Sequence, residues 1–132
     1  MSTKSKILIV DDSPDLLDAL MIFLQDKSYL ISTANSKELL QTELKRFKPD
    51  VIILDVFIMN MGDGREICRV IKSNTETMNI PVILMSANYQ ALENFEQCYA
   101  DAIVEKPFNL KTLLEKIESV LAGSNLNAEK NA

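Results

Sequence analysis

Four apolar runs in this chain end on groups that could do chemistry. Lys6-Ile7-Leu8-Ile9-Val10 runs into Asp11-Asp12, Val51-Ile52-Ile53-Leu54 into Asp55, Pro81-Val82-Ile83-Leu84-Met85 into Ser86, and Ile103-Val104 into Glu105-Lys106. Three carboxylates meeting at one edge would repel one another and raise each other's pKa values, which destabilises a fold unless a cation joins them. The donors are all hard oxygens, with no thiolate or imidazole, and this selects Mg²⁺, Ca²⁺ or Mn²⁺. Mg²⁺ fits best: it takes one or two carboxylates, keeps several waters and leaves room for phosphate oxygens. No DxDxDG run marks an EF-hand-type calcium loop. Lys106 adds a positive charge, so metal and ammonium together would neutralise incoming phosphoryl oxygens. Phosphoryl transfer is mainly positioning plus charge stabilisation, and this set is sufficient in kind. Asp55 is the natural nucleophile and would become an acyl phosphate. Ser86 would donate a hydrogen bond to the new phosphoryl group. Taken singly, each residue has a plainer role: Asp12 or Ser13 capping a helix, Asp55 closing an Asx turn, Ser86 ending a strand, Lys106 solvated in a loop. Four compatible strand ends are harder to dismiss than any one.

Such convergence needs strands that all point one way. A short, unbroken apolar run reads as a strand buried on both faces, the usual state in a parallel sheet under helices, and such sheets gather ligands at the carboxyl ends of their strands. Helical signals separate the runs. Ser13 suits an N-cap, Pro14 the first helical position and Asp15 the positive end of the dipole. Leu16, Leu17, Leu20, Met21 and Leu24 recur at helical spacing up to Lys27-Ser28. Residues 29–33 read as an edge strand. Ser36 caps a second helix reaching Phe47, with Leu39, Leu40 and Leu44 inward, and Lys48-Pro49-Asp50 breaks it. After a loop with Asn60, Gly62 and Gly64, a third helix turns Ile67, Val70 and Ile71 inward and ends at Ser73-Asn74-Thr75. A fourth helix is expected over 89–98. Asn109 caps the last one, with Leu110, Leu113, Leu114, Ile117 and Leu121 on one stripe, and Gly123 stops it. Strand and helix alternate five times. That predicts an α/β, flavodoxin-like, doubly wound five-stranded parallel sheet of order 2-1-3-4-5, with five helices and right-handed crossovers. Strands 1 and 3 then lie side by side, and Asp11-Asp12 meet Asp55. One domain is expected over residues 5–122, with a flexible C-terminal tail over 123–132.

The bulk composition narrows the function. The 132 residues suit one domain with a single core. A net charge of −5 opposes non-specific nucleic-acid binding, which needs a basic face. No apolar run approaches the ~20 residues of a membrane span, and the N-terminus carries no secretory signal, so the expected location is cytoplasmic. Cys68 and Cys98 lack CxxC spacing and read as small buried hydrophobes. The chain has no histidine. That excludes Ser-His-Asp and Cys-His catalysis and any His-ligated zinc. If a phosphohistidine takes part, it belongs to a partner.

The motifs Ile-Leu-Ile-Val-Asp11-Asp12-Ser13, Asp50-Val-Ile-Ile-Leu-Asp55, Pro81-Val-Ile-Leu-Met-Ser86-Ala87 and Lys106-Pro107-Phe108 resemble the receiver domain of two-component response regulators, in order and over about residues 5 to 121. The resemblance implies that Asp55 is the phosphoacceptor. It implies that Asp12, Asp55 and the backbone carbonyl of Phe57 ligate Mg²⁺, with Asp11 holding a metal-bound water. Ser86 and Lys106 would bind the phosphoryl group, and the Lys106-Pro107 bond would be cis. The implied partners are a histidine kinase or a histidine phosphotransfer protein upstream and an unidentified protein target downstream, with no nucleic acid or membrane. The chain departs from the family pattern at several points. Met59 stands where a proline is usual, and Met61-Gly62-Asp63-Gly64 is one residue longer than the usual Met-Asp-Gly. Ile103 occupies the place of the switch aromatic, and Tyr99 a place usually held by glycine. The segment from Ser86 to Ala100 is about two residues short.

The resemblance also implies that Phe57 and Asn88 hold the variable positions flanking the phosphoryl site, and an apolar ring at Phe57 should hinder hydrolytic water. The expected signalling face joins the fourth helix, fifth strand and last helix, with Tyr89, Tyr99 and Lys111 as contacts. The leading expectation is a stand-alone receiver, a phosphorylation-controlled switch rather than an enzyme with a separate substrate. The alternative is a pseudo-receiver that binds partners without phosphorylation, for which Met59 and Ile103 argue. An aspartyl phosphohydrolase is disfavoured because Phe57 replaces the second Asp of Asp-x-Asp. A flavodoxin is disfavoured because Asp11-Asp12 would repel a flavin phosphate.

Overall fold

A computed structural model describes residues 4–59 and 61–130, with side chains as far as Gly123. Five apolar stretches form the strands β1 (Lys6–Val10), β2 (Leu30–Ala34), β3 (Val51–Asp55), β4 (Val82–Ser86) and β5 (Ala102–Glu105). They make one parallel sheet in the order β2-β1-β3-β4-β5, as the sequence predicts. In β1, β3 and β4 nearly every residue is buried, because helices cover both faces. The side chains alternate between two cores. Leu8, Val10, Ile52, Leu54, Val82 and Leu84 face one; Ile7, Ile9, Val51, Ile53, Ile83 and Met85 face the other. Burying each of these is worth about 1.5–3 kcal/mol, which anchors the strand ends firmly.

The helix α1 (Pro14–Asp26) starts as expected, with the Ser13 hydroxyl accepting from the Leu16 N–H. It seats Leu20 and Leu24 on the second core. Ser36 likewise caps α2 (Lys37–Arg46). There Leu40 is buried and Leu44 half-buried, whereas Leu39, expected inward, is exposed. Asp63 caps α3 (Gly64–Ser73). Its buried stripe is Gly64, Cys68 and Ile71, spaced i, i+4, i+7. Val70, also expected inward, lies about 100° round from Ile71 and faces solvent. Asn109 caps α5 (Leu110–Lys130), which turns Leu113 and Ile117 inward and leaves Leu110 exposed.

Two expectations fail in the backbone. The helix expected over 89–98 is split into α4 (Tyr89–Leu92) and a 3₁₀ turn (Phe95–Cys98). Glu93 leaves helical geometry, and Asn94 adopts the left-handed φ of 41°, which interrupts the helix. The split lets Leu92 and Cys98 both reach the first core. Gly123 does not stop α5, which continues to Lys130. A single glycine costs a helix only about 1 kcal/mol, and no proline follows it. Asn60 of the expected loop and residues 131–132 of the expected tail lie outside the described residues. One feature had no forecast: an antiparallel hairpin pairs Phe57–Ile58 with Gly62–Asp63 just after β3.

Candidate functional site

Register delivers the carboxylates. Val10 pairs with Leu54 across β1 and β3, so Asp11 and Asp55 leave adjacent strands side by side. Asp55 pairs with Met85, and Ser86 with Glu105, which brings Ser86 and then Lys106 to the same edge. Asp11, Asp12 and Asp55 each offer a carboxylate oxygen within 4.8 Å of the others. Asp11 and Asp55 are buried, and Asp12 is partly exposed.

Each group is held by named partners. The Lys106 ammonium donates to Asp11 Oδ2 at 3.0 Å and stands 3.4 Å from Asp55 Oδ2. The Ser13 N–H donates to the other Asp11 oxygen at 2.9 Å. Asp12 Oδ2 accepts the Met59 N–H at 2.9 Å, tying the loop after Asp55 to the acidic cluster. The Lys106-Pro107 bond is cis, and the Lys106 N–H donates to the Ser86 carbonyl at 2.8 Å. The Ser86 hydroxyl accepts the Asn88 N–H at 3.0 Å, and the Asn88 side chain caps α4 through the Gln90 N–H. Burial pushes the Asp55 carboxyl above its ordinary range. Asp11 and, less, Asp12 add to that rise, against the pull of Lys106.

Three carboxylates against one ammonium leave the cluster short of positive charge. The donor set is hard oxygen throughout, so the residues fit a small divalent ion such as Mg²⁺. Of the other residues singled out in the sequence, Phe57 sits two residues past Asp55 and is 54% exposed. Ile103 is half-buried against the first core, beneath α4. Tyr89, Tyr99 and Lys111 are exposed.

Three residues have roles at the site that the sequence reading did not give them. Gly64 is one: a Cβ there would stand 2.1 Å from the Asp55 carbonyl oxygen, so only glycine lets α3 start against the backbone of Asp55. Its position after Asp63 at a helix start was the one available signal. Met59 contributes through its backbone N–H, which no side-chain pattern reveals. Arg65 forks onto Asp63 and lies over the Phe57 ring.

Comparison with known proteins agrees with this geometry. Residues 7–118 match the family described as response regulator receiver domain. The chain is 34% identical over 123 residues to the heme response regulator HssR of Staphylococcus saprophyticus, covering 91% of this chain and 53% of that protein. It therefore spans about half the length of the curated relatives it matches. Among solved structures, the receiver domain of a signal transduction histidine kinase from Syntrophus aciditrophicus superposes with a TM-score of 0.80 at 30% identity, over 90% of this chain and 91% of that one. A two-component response regulator from Clostridium difficile gives 0.81 at 28%, over 90% and 97%. No helix among the described residues is long and apolar enough to cross a membrane. By sequence match, fold and strand-end chemistry, this chain belongs to the response regulator receiver domain family.

Proposed function

We propose that the chain is a phosphoacceptor receiver in a two-component phosphorelay, taking a phosphoryl group from a partner's phosphohistidine onto Asp55 and thereby switching a protein-binding surface. The observation that carries this is the Lys106 ammonium between the Asp11 and Asp55 carboxylates, with Asp12 beside them. Asp12, Asp55 and the Phe57 carbonyl would hold Mg²⁺, with Asp11 gripping a water of its shell. The ion supplies charge neutralisation at the phosphoryl oxygens.

An Asp55 oxygen attacks phosphorus, the bond to the imidazole nitrogen breaks, and the partner histidine keeps the electron pair. Lys106 moves its contact from carboxylate to phosphoryl oxygen. A hydroxyl can accept and donate at once. Ser86 thus keeps the Asn88 N–H while its proton turns to the phosphoryl group. Any inward pull on Ser86 reaches Asn88 and the cap of α4 directly, a route that needs no aromatic at Ile103. Tyr89, Tyr99 and Lys111 flank that route and would contact the downstream protein. On this reading the upstream partner is a histidine kinase or phosphotransfer protein, and the domain works in the cytoplasm.

Acetyl phosphate with Mg²⁺ tests the chemistry. The wild-type chain should gain the mass of one phosphoryl group, labile to hydroxylamine. Asp55→Asn, or wild type with EDTA, should gain none. A wild-type chain that stays unmodified, and shows no NMR change with beryllofluoride and Mg²⁺, would instead be a phosphorylation-independent binding module.

A further inference from the structure

The three carboxylates of the cluster are not held alike. Asp11 and Asp55 face the Lys106 ammonium at 3.0 and 3.4 Å. Asp12 is the least buried of the three, and its Oδ2 accepts the Met59 N–H at 2.9 Å. Met59 lies in the turn of the hairpin, where the Met61 N–H closes on the Ile58 carbonyl at 3.1 Å. Ile58 and Met61 are both buried in the first core, so the turn is pinned on either side of Met59. The Met59 side chain is 71% exposed. The turn therefore aims a backbone donor and leaves the side chain free. A hydrogen bond to an ionised acceptor is about twice as strong as a neutral one. The rotamer of Asp12 is thus set from a loop 47 residues away in the chain. A carboxylate has about four lone-pair sites, so Asp12 can keep the N–H while another site ligates an ion. Met59 stands where the family pattern has proline, and a proline has no N–H to give.

We infer that the Met59 backbone N–H is a positioning group for Asp12, holding that carboxylate ready for Mg²⁺. The inference rests on Asp12 being a Mg²⁺ ligand, as proposed above, and adds a donor that any residue except proline could supply. Losing a hydrogen bond to a metal ligand typically costs about 10–100-fold in metal affinity. Asp12 is partly exposed, so water can replace a lost donor, and the low end of that range applies. Proline at 59 removes the donor cleanly. Met59 is the second residue of the turn, where proline's fixed φ is favoured. Ile58 before it is extended, the conformation that a following proline requires.

The test titrates Mg²⁺ into wild type, Met59→Ala and Met59→Pro, and reads Kd from amide NMR shifts at the acidic cluster. Met59→Ala, which keeps the N–H, should bind as wild type. Met59→Pro should bind about tenfold more weakly. Two readouts in EDTA separate a lost donor from a distorted loop. Hydrogen exchange at the Met59 amide should be faster in Asp12→Ala than in wild type, while the Met61 amide, bonded within the turn, keeps its protection. The Gly64 amide, which donates to the Val56 carbonyl beside the hairpin, should keep its wild-type shift in Met59→Pro. If Met59→Pro loses cooperative melting, an ester in place of the amide joining Ile58 to Met59 removes the N–H alone, with the same expected loss. Wild-type affinity without the N–H, an equal loss in Met59→Ala, unchanged exchange in Asp12→Ala, or a displaced Gly64 amide accompanying the loss would each overturn the inference while leaving Asp55 as phosphoacceptor. A wild-type chain whose amides ignore Mg²⁺ would remove the metal reading and the inference together, and is told apart because no variant then titrates.

Discussion

At the scale of single residues, the site is as much backbone as side chain. Gly64 N–H donates to the Val56 carbonyl at 2.6 Å, and its missing Cβ makes room for the Asp55 carbonyl. Helix α3 and the end of β3 are thus in direct contact beside Asp55. In Gly64→Ala the new methyl meets backbone rather than a flexible side chain, so the strand end or the helix start must move. The expected loss is about 1–3 kcal/mol, the range for overpacking, read as a lower urea midpoint. Because the shift falls on Asp55, Mg²⁺ affinity should drop as well. An unchanged Mg²⁺ titration would show that α3 yields and the strand end stays. The polar strand ends were legible because an apolar run that stops on a carboxylate is a local pattern. Gly64 was not, since the clash it avoids is with residues nine positions away that only the folded chain brings near.

At the scale of elements, local pattern succeeded where burial decides conformation and failed where a helix could be cut. The strands β1, β3 and β4, each with a run of four apolar residues, matched the forecast, as did the caps at Ser13, Ser36 and Asn109. Residues 89–98 look helical by composition, yet the core takes them in two pieces. Cys98 is drawn to α3, where Cys68 Sγ donates to the Cys98 carbonyl at 3.3 Å. Burial pushes the Cys68 thiol up to about 12, with Cys98 adding to the rise, so it stays protonated and serves as a donor. The cut leaves strain at Tyr99, which has φ 67° and a side chain mostly in solvent. A left-handed non-glycine residue costs about 1–2 kcal/mol. Tyr99→Gly should therefore stabilise the domain, by up to about 1 kcal/mol once the looser unfolded chain is allowed for. A loss of that size in urea unfolding would mean that the ring itself holds the 3₁₀ turn in place.

At the scale of the whole molecule, the sheet collects charge that the fold alone leaves unbalanced, and stability should record it. Asp55 has a folded pKa above its unfolded one, near 3.8, chiefly from burial and then from Asp11. Its contribution to stability is fully present below the unfolded value and is lost as pH rises through the raised one. Asparagine at 55 does not titrate. Without divalent ions, the stability of Asp55→Asn relative to wild type should therefore grow between ~pH 4 and ~pH 7. Asp63, held below its ordinary range by its hydrogen bonds to Arg65, titrates with the opposite sign but is common to both proteins and cancels. Mg²⁺ should reverse the ranking. An ion that binds only the folded state stabilises it by about 2.7 kcal/mol at roughly a hundredfold excess over Kd. Wild type, with all three carboxylates, should take that gain, and the variant, lacking one, should take less at the same Mg²⁺ concentration. Urea midpoints at two pH values, in EDTA and in Mg²⁺, measure all four corners. Equal Mg²⁺ gains in the two proteins would place the ion away from Asp55. A pH-independent difference in EDTA would mean that the carboxylate carries no electrostatic penalty when the ion is absent.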